Sequence, residues 1–350
     1  MAVRLTRGRL AFIGAGAVAA GLLVPGVANG ATASAQWGDF DRNSPLAWNT
    51  LLPGTVTIEK GDKVSFTVVG FHTVTLPGRG AKLPPLIVPS GQNNPAQNDP
   101  GGTPYWWGGV TPLLQLNPAA LGPSGGTVFN GSRTVNSGAV QGNPPKFTVT
   151  FTKKGTFTVR CLVHPKMTGK IRVVDDSTDT AAKRRARAAR ERAAQKATAL
   201  KTVAKAAKAT GNTVQIGPGN AKVQALAFYP ANRKVTPGGT VNFKMVGKNE
   251  VHTVTFGPKA YVEGVAKTTF QGQGLELAGE GMYPSDPPAA GVPSLTPTSH
   301  GNGFLNSGVL ADPGSGIPGP KAFSVTFPVA GSFEYMCLVH PEMRGRITVG

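Results

Sequence analysis

The sequence predicts an all-β chain built as two copies of one small β-sandwich joined by a basic helical segment. Three observations carry this expectation. A long block recurs in the two halves, its apolar residues alternate with period two, and Gly and Pro exceed a fifth of the 350 residues, as in chains with many turns. At this length two domains are the starting expectation, each large enough to bury a core.

The N-terminus comes first. Arg4, Arg7 and Arg9 precede an apolar, Ala/Gly-rich run from Leu10 to Val27, and Ala33-Ser34-Ala35 follows. A basic region, an apolar region and an A-x-A-like site read as a secretory signal peptide over residues 1–35, with the mature chain starting near Gln36. An uncleaved anchor is the alternative, since the run approaches the length needed to cross a bilayer. The glycines and Pro25 that interrupt the run argue for cleavage. The expected location is therefore exported: extracellular, cell-surface or periplasmic. The N-terminal segment has no adjacent Arg pair, which favours general export over the twin-arginine route.

The repeat defines domain 1 over 36–175 and domain 2 over 213–350. Phe147-Thr-Val149-Thr-Phe151, Gly155, Phe157, Val159, Cys161, His164, Met167 and Gly169 align without a gap on Phe323-Ser-Val325-Thr-Phe327, Gly331, Phe333, Tyr335, Cys337, His340, Met343 and Gly345. Upstream, the stretch from Val64 to His72 and Leu76 pairs with that from Val241 to His252 and Phe256, the second after a slightly longer turn. Asn136-Ser137-Gly138 matches Asn306-Ser307-Gly308. Each half has the same order of parts, the mark of a duplication.

Between the halves, residues 176–212 form an Ala/Lys/Arg-rich linker. Lys183 to Lys208 holds ten basic residues against one acid, Glu191, so nine of the nineteen net positive charges sit here. The composition favours helix. No sustained apolar stripe runs along it, which predicts a solvated spacer. The alternative is adhesion to an anionic surface such as lipid headgroups or cell-surface polymers; export argues against nucleic acid as a partner.

Alternation places the candidate chemistry indoors. Cys161 shares its face with Phe157 and Val159, and Cys337 with Phe333 and Tyr335, so each thiol lies on the buried side at a strand end. His72 shares parity with Val74 and Leu76, as His252 does with Val254 and Phe256. Two inward His, one Cys thiolate and one thioether form a soft set that matches His₂Cys copper with a weak axial Met. The spacing C-x₂-H-x₂-M lets one short loop surround an ion from three directions, while the remote His closes the cage. Pro165 and Pro341 stiffen that loop. Other uses of these residues stay open. A Cys161–Cys337 disulfide would need two equivalent buried strand ends to meet, and zinc accepts the same N and S donors but usually recruits stronger ligands than a thioether.

The segments F-x-V-x-F…G-x-F-x-x-x-C-L-V-H-P-x-M-x-G-x-I-x-V resemble the C-terminal half of plastocyanin/amicyanin-like cupredoxins, the loop being closest to the amicyanin type. The resemblance implies two Greek-key cupredoxin sandwiches, each holding one type 1 (blue) copper. It places the ligands on His72, Cys161, His164 and Met167, and on His252, Cys337, His340 and Met343. It further implies electron transfer with a redox partner protein, against the alternative of a copper handling, delivery or resistance module. Thr73 and Thr253 depart from the family's usual Asn, so a hydroxyl or another residue must brace the loop. The stretch from first His to Cys is about twice the minimal length and includes Tyr105-Trp106-Trp107 and Gly281-Met282-Tyr283-Pro284. Stretches of this kind serve as lids, docking surfaces or plain surface loops.

Oxidases and reductases built on the same fold need further His for other copper centres. The chain has five His, and only His300 remains beyond the two ligand sets. A non-enzymatic protein is therefore expected, with His300 an ordinary loop residue.

Overall fold

Alternating apolar residues become strands wherever turn residues allow the chain to reverse. The computed structural model describes residues 30–140, 144–272, 274–313 and 317–350. The leader expected at the N-terminus falls outside them up to residue 29. The first half holds β1 (Thr32–Phe40), β2 (Leu46–Leu52), β3 (Thr55–Glu59), β4 (Lys63–Val68) and β5 (Thr73–Leu76). An insertion follows with β6 (Ile87–Asn93), β7 (Pro112–Leu116), α1 (Pro118–Leu121) and β8 (Val128–Phe129). Then come β9 (Val135–Ala139), β10 (Lys146–Phe151), β11 (Gly155–Arg160), β12 (Thr168–Val174) and the helix α2 (Ala181–Ala207).

The second half repeats the plan with β13 (Thr213–Ile216), β14 (Val223–Ala225), β15 (Phe228–Tyr229), β16 (Asn232–Val235), β17 (Gly239–Met245) and β18 (Thr255–Phe256). Its insertion carries α3 (Lys259–Phe270), β19 (Glu276–Leu277) and α4 (Gly279–Met282). The half closes with β20 (Leu305–Asn306), β21 (Ala322–Phe327), β22 (Gly331–Met336) and β23 (Arg344–Val349).

Each half is a two-sheet sandwich. The first pairs β14-β2-β1-β4-β10-β8 with β3-β12-β11-β5-β9, and the second pairs β15-β13-β17-β21 with β16-β23-β22-β18-β20. Register repeats as well as order: Phe147 lies opposite Phe66 and Phe323 opposite Phe243. Between the sheets Val64, Phe66, Val149, Phe151 and Ile171 form one core, and Val241, Phe243, Val325, Phe327 and Ile347 the other. This is the period-two pattern turned inward, as the alternation requires.

Four features lie beyond the repeat. β14, from the second half, pairs antiparallel with β2 and extends the first half's sheet. The insertions pack on each other rather than lying loose: β19 of the second joins β7 and β6 of the first in a three-stranded sheet. Tyr105 and Trp107 bury against Val262, Phe304, Met336 and Leu338. β1 begins at Thr32, inside the stretch read as leader, and Ala33 and Ala35 are buried in the sheet.

The fourth is a correction to the linker. It is helical, capped by the Thr180 hydroxyl accepting from the Lys183 N–H, but it is no solvated spacer. Ala199 and Ala206 are buried, and Ala188, Ala199 and Val203 pack on Leu46, Trp48, Val223 and Ala225, a surface contributed by both halves. A stripe of alanines gives a weak apolar signal yet allows close approach to a sheet. Arg187 pairs with Asp179, Arg192 with Asp39 while lying over the Trp48 ring, and Lys196 with Asp41. Glu191 accepts from the Gly54 N–H at 2.7 Å. Among the described residues no helix is long and apolar enough to cross a membrane.

Candidate metal centres

Cys161 follows the last residue of β11 and Cys337 the last of β22, each at the start of the turn leading to the next strand. Both thiols are free and buried, so they form no disulfide with each other. The turn is closed the same way twice. The Cys161 N–H donates to Met167 O at 3.1 Å and the Met167 N–H to His164 O at 2.7 Å; for Cys337, Met343 and His340 the lengths are 3.0 and 2.9 Å. Met167 and Met343 are buried in the same cores as their cysteines.

Three donors converge at each turn. In the first half Cys161 Sγ lies 3.8 Å from His72 Nδ1 and 3.7 Å from His164 Nδ1, with 2.9 Å between the two nitrogens. In the second, Cys337 Sγ lies 3.7 Å from His252 Nδ1 and 3.9 Å from His340 Nδ1, with 3.2 Å between the nitrogens. A point equidistant from the three atoms is about 2 Å from each in both halves, the length of a metal–nitrogen bond. Two imidazoles and a thiolate with a buried thioether nearby suit a copper ion better than a hard cation, which prefers oxygen.

The charge state agrees. Burial pushes the Cys161 thiol up, but the imidazoles of His164 and His72 reverse this and hold it at about 5; Cys337 is held at about 5 by His252 and His340. A thiolate at neutral pH is the form that binds metal.

The remote histidines are fixed by glycine. Gly38 has φ +80° and a Cβ there would lie 2.5 Å from His72 Nε2; Gly217 has φ +64° and its Cβ would lie 2.8 Å from His252 Nε2. Only a residue without a Cβ lets the backbone pass so close at that φ. The threonines that replace the usual Asn do brace the loop. The Leu162 N–H donates to Thr73 Oγ1 and the Leu338 N–H to Thr253 Oγ1, both at 2.8 Å. Behind them Thr75 donates to Asn136 Oδ1 and Thr255 to Asn306 Oδ1, while Ser137 and Ser307 accept from the N–H groups of Val74 and Val254. The repeated Asn-Ser-Gly thus has a task that its sequence alone did not reveal: it satisfies the polar groups buried under the site.

One residue of the site was not foreseen. Glu250 is 8% exposed and stands between the halves. Its Oε2 lies 2.9 Å from His164 Nε2 and 3.7 Å from His340 Nε2, and its Oε1 accepts from Asn49 Nδ2 at 2.7 Å. Burial pushes this carboxyl up, but His164 outweighs it and keeps the group ionised; burial pushes His164 down, but Glu250 and the Cys161 thiolate together outweigh it and hold that imidazole at about 10. The signal was the longer turn of the second half, whose Lys248-Asn249-Glu250-Val251 faces only Phe71 in the first.

His300 stays outside both donor groups and is more than a loop residue. Its Nδ1 lies 2.9 Å from Asp99 of the first insertion and its Nε2 3.3 Å from Asp286 of the second. It holds φ +49°, uncommon for a residue with a Cβ, between these two carboxylates.

No family model matches the chain, and no curated protein matches it. Solved structures do. The oxidised plastocyanin of Dryopteris crassirhizoma is 19% identical, covering 39% of this chain and 99% of its own, with a TM-score of 0.21. A point mutant of amicyanin in its reduced Cu(I) form is 21% identical over 41% of this chain and 89% of its own, with a TM-score of 0.22. A purple cupredoxin from Nitrosopumilus maritimus is 18% identical over 40% of this chain and all of its own, with a TM-score of 0.23. Each is matched by about two fifths of this chain. Sheet order, the Cys–His–Met turn and the paired His–Cys–His groups recur twice along one chain and give two sandwiches of one plan in tandem, the arrangement that the cupredoxin resemblance implies, each with donors that suit one copper ion.

Proposed function

We propose that the protein is an exported carrier of electrons with two type 1 copper sites, one formed by His72, Cys161, His164 and Met167, the other by His252, Cys337, His340 and Met343. The observation that carries this is the same triangle of two imidazole nitrogens and one thiolate, built twice at strand ends. Bound copper would supply one-electron chemistry between Cu(I) and Cu(II). The chain's own part is to hold the donors still. The Thr hydroxyls pin the turn beside each Cys, the glycines fix the remote His, and every donor is buried except the partly covered His340. Rigid donors limit the rearrangement that accompanies gain or loss of an electron.

Burial of both thiolates favours a carrier over a protein that hands copper on, because ligand exchange needs an accessible donor. Commitment of His300 to Asp99 and Asp286 favours a carrier over an enzyme with a further copper centre. Export rests on the basic and apolar N-terminus, and keeping β1 whole requires cleavage upstream of Thr32. Six basic residues of α2 and its C-cap, Lys183, Arg185, Arg190, Lys201, Lys205 and Lys208, remain exposed and offer a site for an anionic cell-surface polymer or lipid.

The test is a metal analysis with a visible spectrum and a redox titration of the exported protein. Two coppers per chain, an intense charge-transfer band in the visible and reversible one-electron reduction are expected. Colourless copper, or copper lost within minutes to a competing chelator, would leave the delivery reading in its place.

A further inference from the structure

We infer that the two copper sites form one internally equilibrating pair, with electrons passing between them through His164, Glu250 and His340. This rests on the reading of both sites as redox copper. Each of these imidazoles turns Nδ1 toward its own Cys and Nε2 toward the same carboxylate oxygen, 2.9 Å away for His164 and 3.7 Å for His340. The route is continuous: thiolate and ring on one side, one hydrogen bond, one carboxylate oxygen, one short contact, then ring and thiolate on the other. Electronic coupling falls steeply across empty space and far less across bonds and hydrogen bonds. A single bridging atom is therefore the favourable path, and the 3.7 Å contact, longer than a hydrogen bond, is its weakest link.

Glu250 is aimed as well as close. Asn49, on β2 of the first half, donates to its other oxygen, so a side chain of the second half is oriented by the first. The spacing is also held. β14 on β2, the three-stranded sheet of the insertions, the His300 ion pairs and the docked helix α2 all tie one half to the other around the bridge. The transfer itself is simple. One electron leaves Cu(I) at one site and reduces Cu(II) at the other; no bond forms or breaks, and the Nε2 proton of His164 stays where it is.

The experiment uses the full-length, copper-loaded protein carrying Met343→Gln, and separately Met167→Gln, since a changed axial ligand shifts the potential and spectrum of one site and so separates the two bands. A flash-generated reductant supplies less than one electron per chain. After the initial bleach, one band should recover as the other fades, in a first-order phase whose rate is independent of protein concentration. Glu250→Ala should slow that phase at least tenfold while both bands persist, and Glu250→Gln, which keeps an acceptor for His164, should restore it to within a few-fold. A rate that rises in proportion to protein concentration in either Met→Gln protein with Glu250 intact overturns the inference without any change at Glu250. So does an unchanged phase in Glu250→Ala. Absence of visible bands from the unmutated protein would instead overturn the copper reading, and this inference with it.

Discussion

At the scale of single residues, polar groups buried beneath each site decide whether the donors keep their places. Thr73 Oγ1 accepts the Leu162 N–H and links through Thr75 to Asn136. Thr73→Val keeps the shape and removes the acceptor, leaving a buried N–H without a partner at a cost of about 1–3 kcal/mol. Urea denaturation of the metal-free full chain should show that loss. Thr253→Val should do the same in the second half, through Leu338. His300 makes a prediction with a sign. Its hydrogen bond to Asp286, and then that to Asp99, hold its pKa above the ordinary 6.5. Its stabilisation is therefore complete below about pH 6.5 and disappears as pH rises through the raised value. Asp99 is depressed below 3.8 despite burial, by Thr103 and His300, so its share fades as pH falls through that lower value. The melting temperature of His300→Gln should fall below that of the unmutated protein between these limits and converge with it at high pH. A constant difference across pH would show that the imidazole is not charged in the fold.

At the scale of elements, α2 shows how a helix of alanines and cations finds a seat. Ala199 is buried against Trp48 and Val223, whereas Leu200, one residue on, is 44% exposed. The ordinary hydrophobic ranking of the two positions is inverted. Ala199→Asp should destabilise the chain by several kcal/mol, because an unpaired carboxylate would enter an apolar seam. Leu200→Asp should change it by no more than about 0.5 kcal/mol. Urea titrations of the two variants compare them directly, and equal effects would mean that the helix does not dock. The insertions teach a similar lesson. Tyr105 and Trp107 look like solvent-facing aromatics of a long loop, yet Tyr105 donates to Glu280 of the other half at 3.1 Å and both rings join the cluster around Leu338, beside Cys337.

At the scale of the whole molecule, the two sandwiches are one mechanical unit. A strand of the second half completes a sheet of the first, and a third small sheet is shared. Calorimetry should therefore record one unfolding transition, and filling only the second site, in Cys161→Ser, should raise that single transition rather than split it. Two transitions, one of them indifferent to copper, would show independent halves.

The parts of this protein that repeat along the chain were legible in its sequence. Alternation fixes which side of a strand is buried, so His72, Cys161, His164, His252, Cys337 and His340 could be placed indoors by parity and turn spacing, and the structure brings each three together. Met167 and Met343 fall in the same buried turns. Such residues answer to local rules: strand parity, a tight turn, a spacing of two. What joins the halves answers to none of these. Glu250 touches His164 from 86 positions away, β14 crosses to a foreign sheet, and Asp99 meets His300 across 201 positions. A duplicated sequence determines two copies of a metal cage, because the forces that build each cage act within one copy. Only the tertiary structure decides that the cages face each other across one carboxylate, because that choice depends on how two finished surfaces pack.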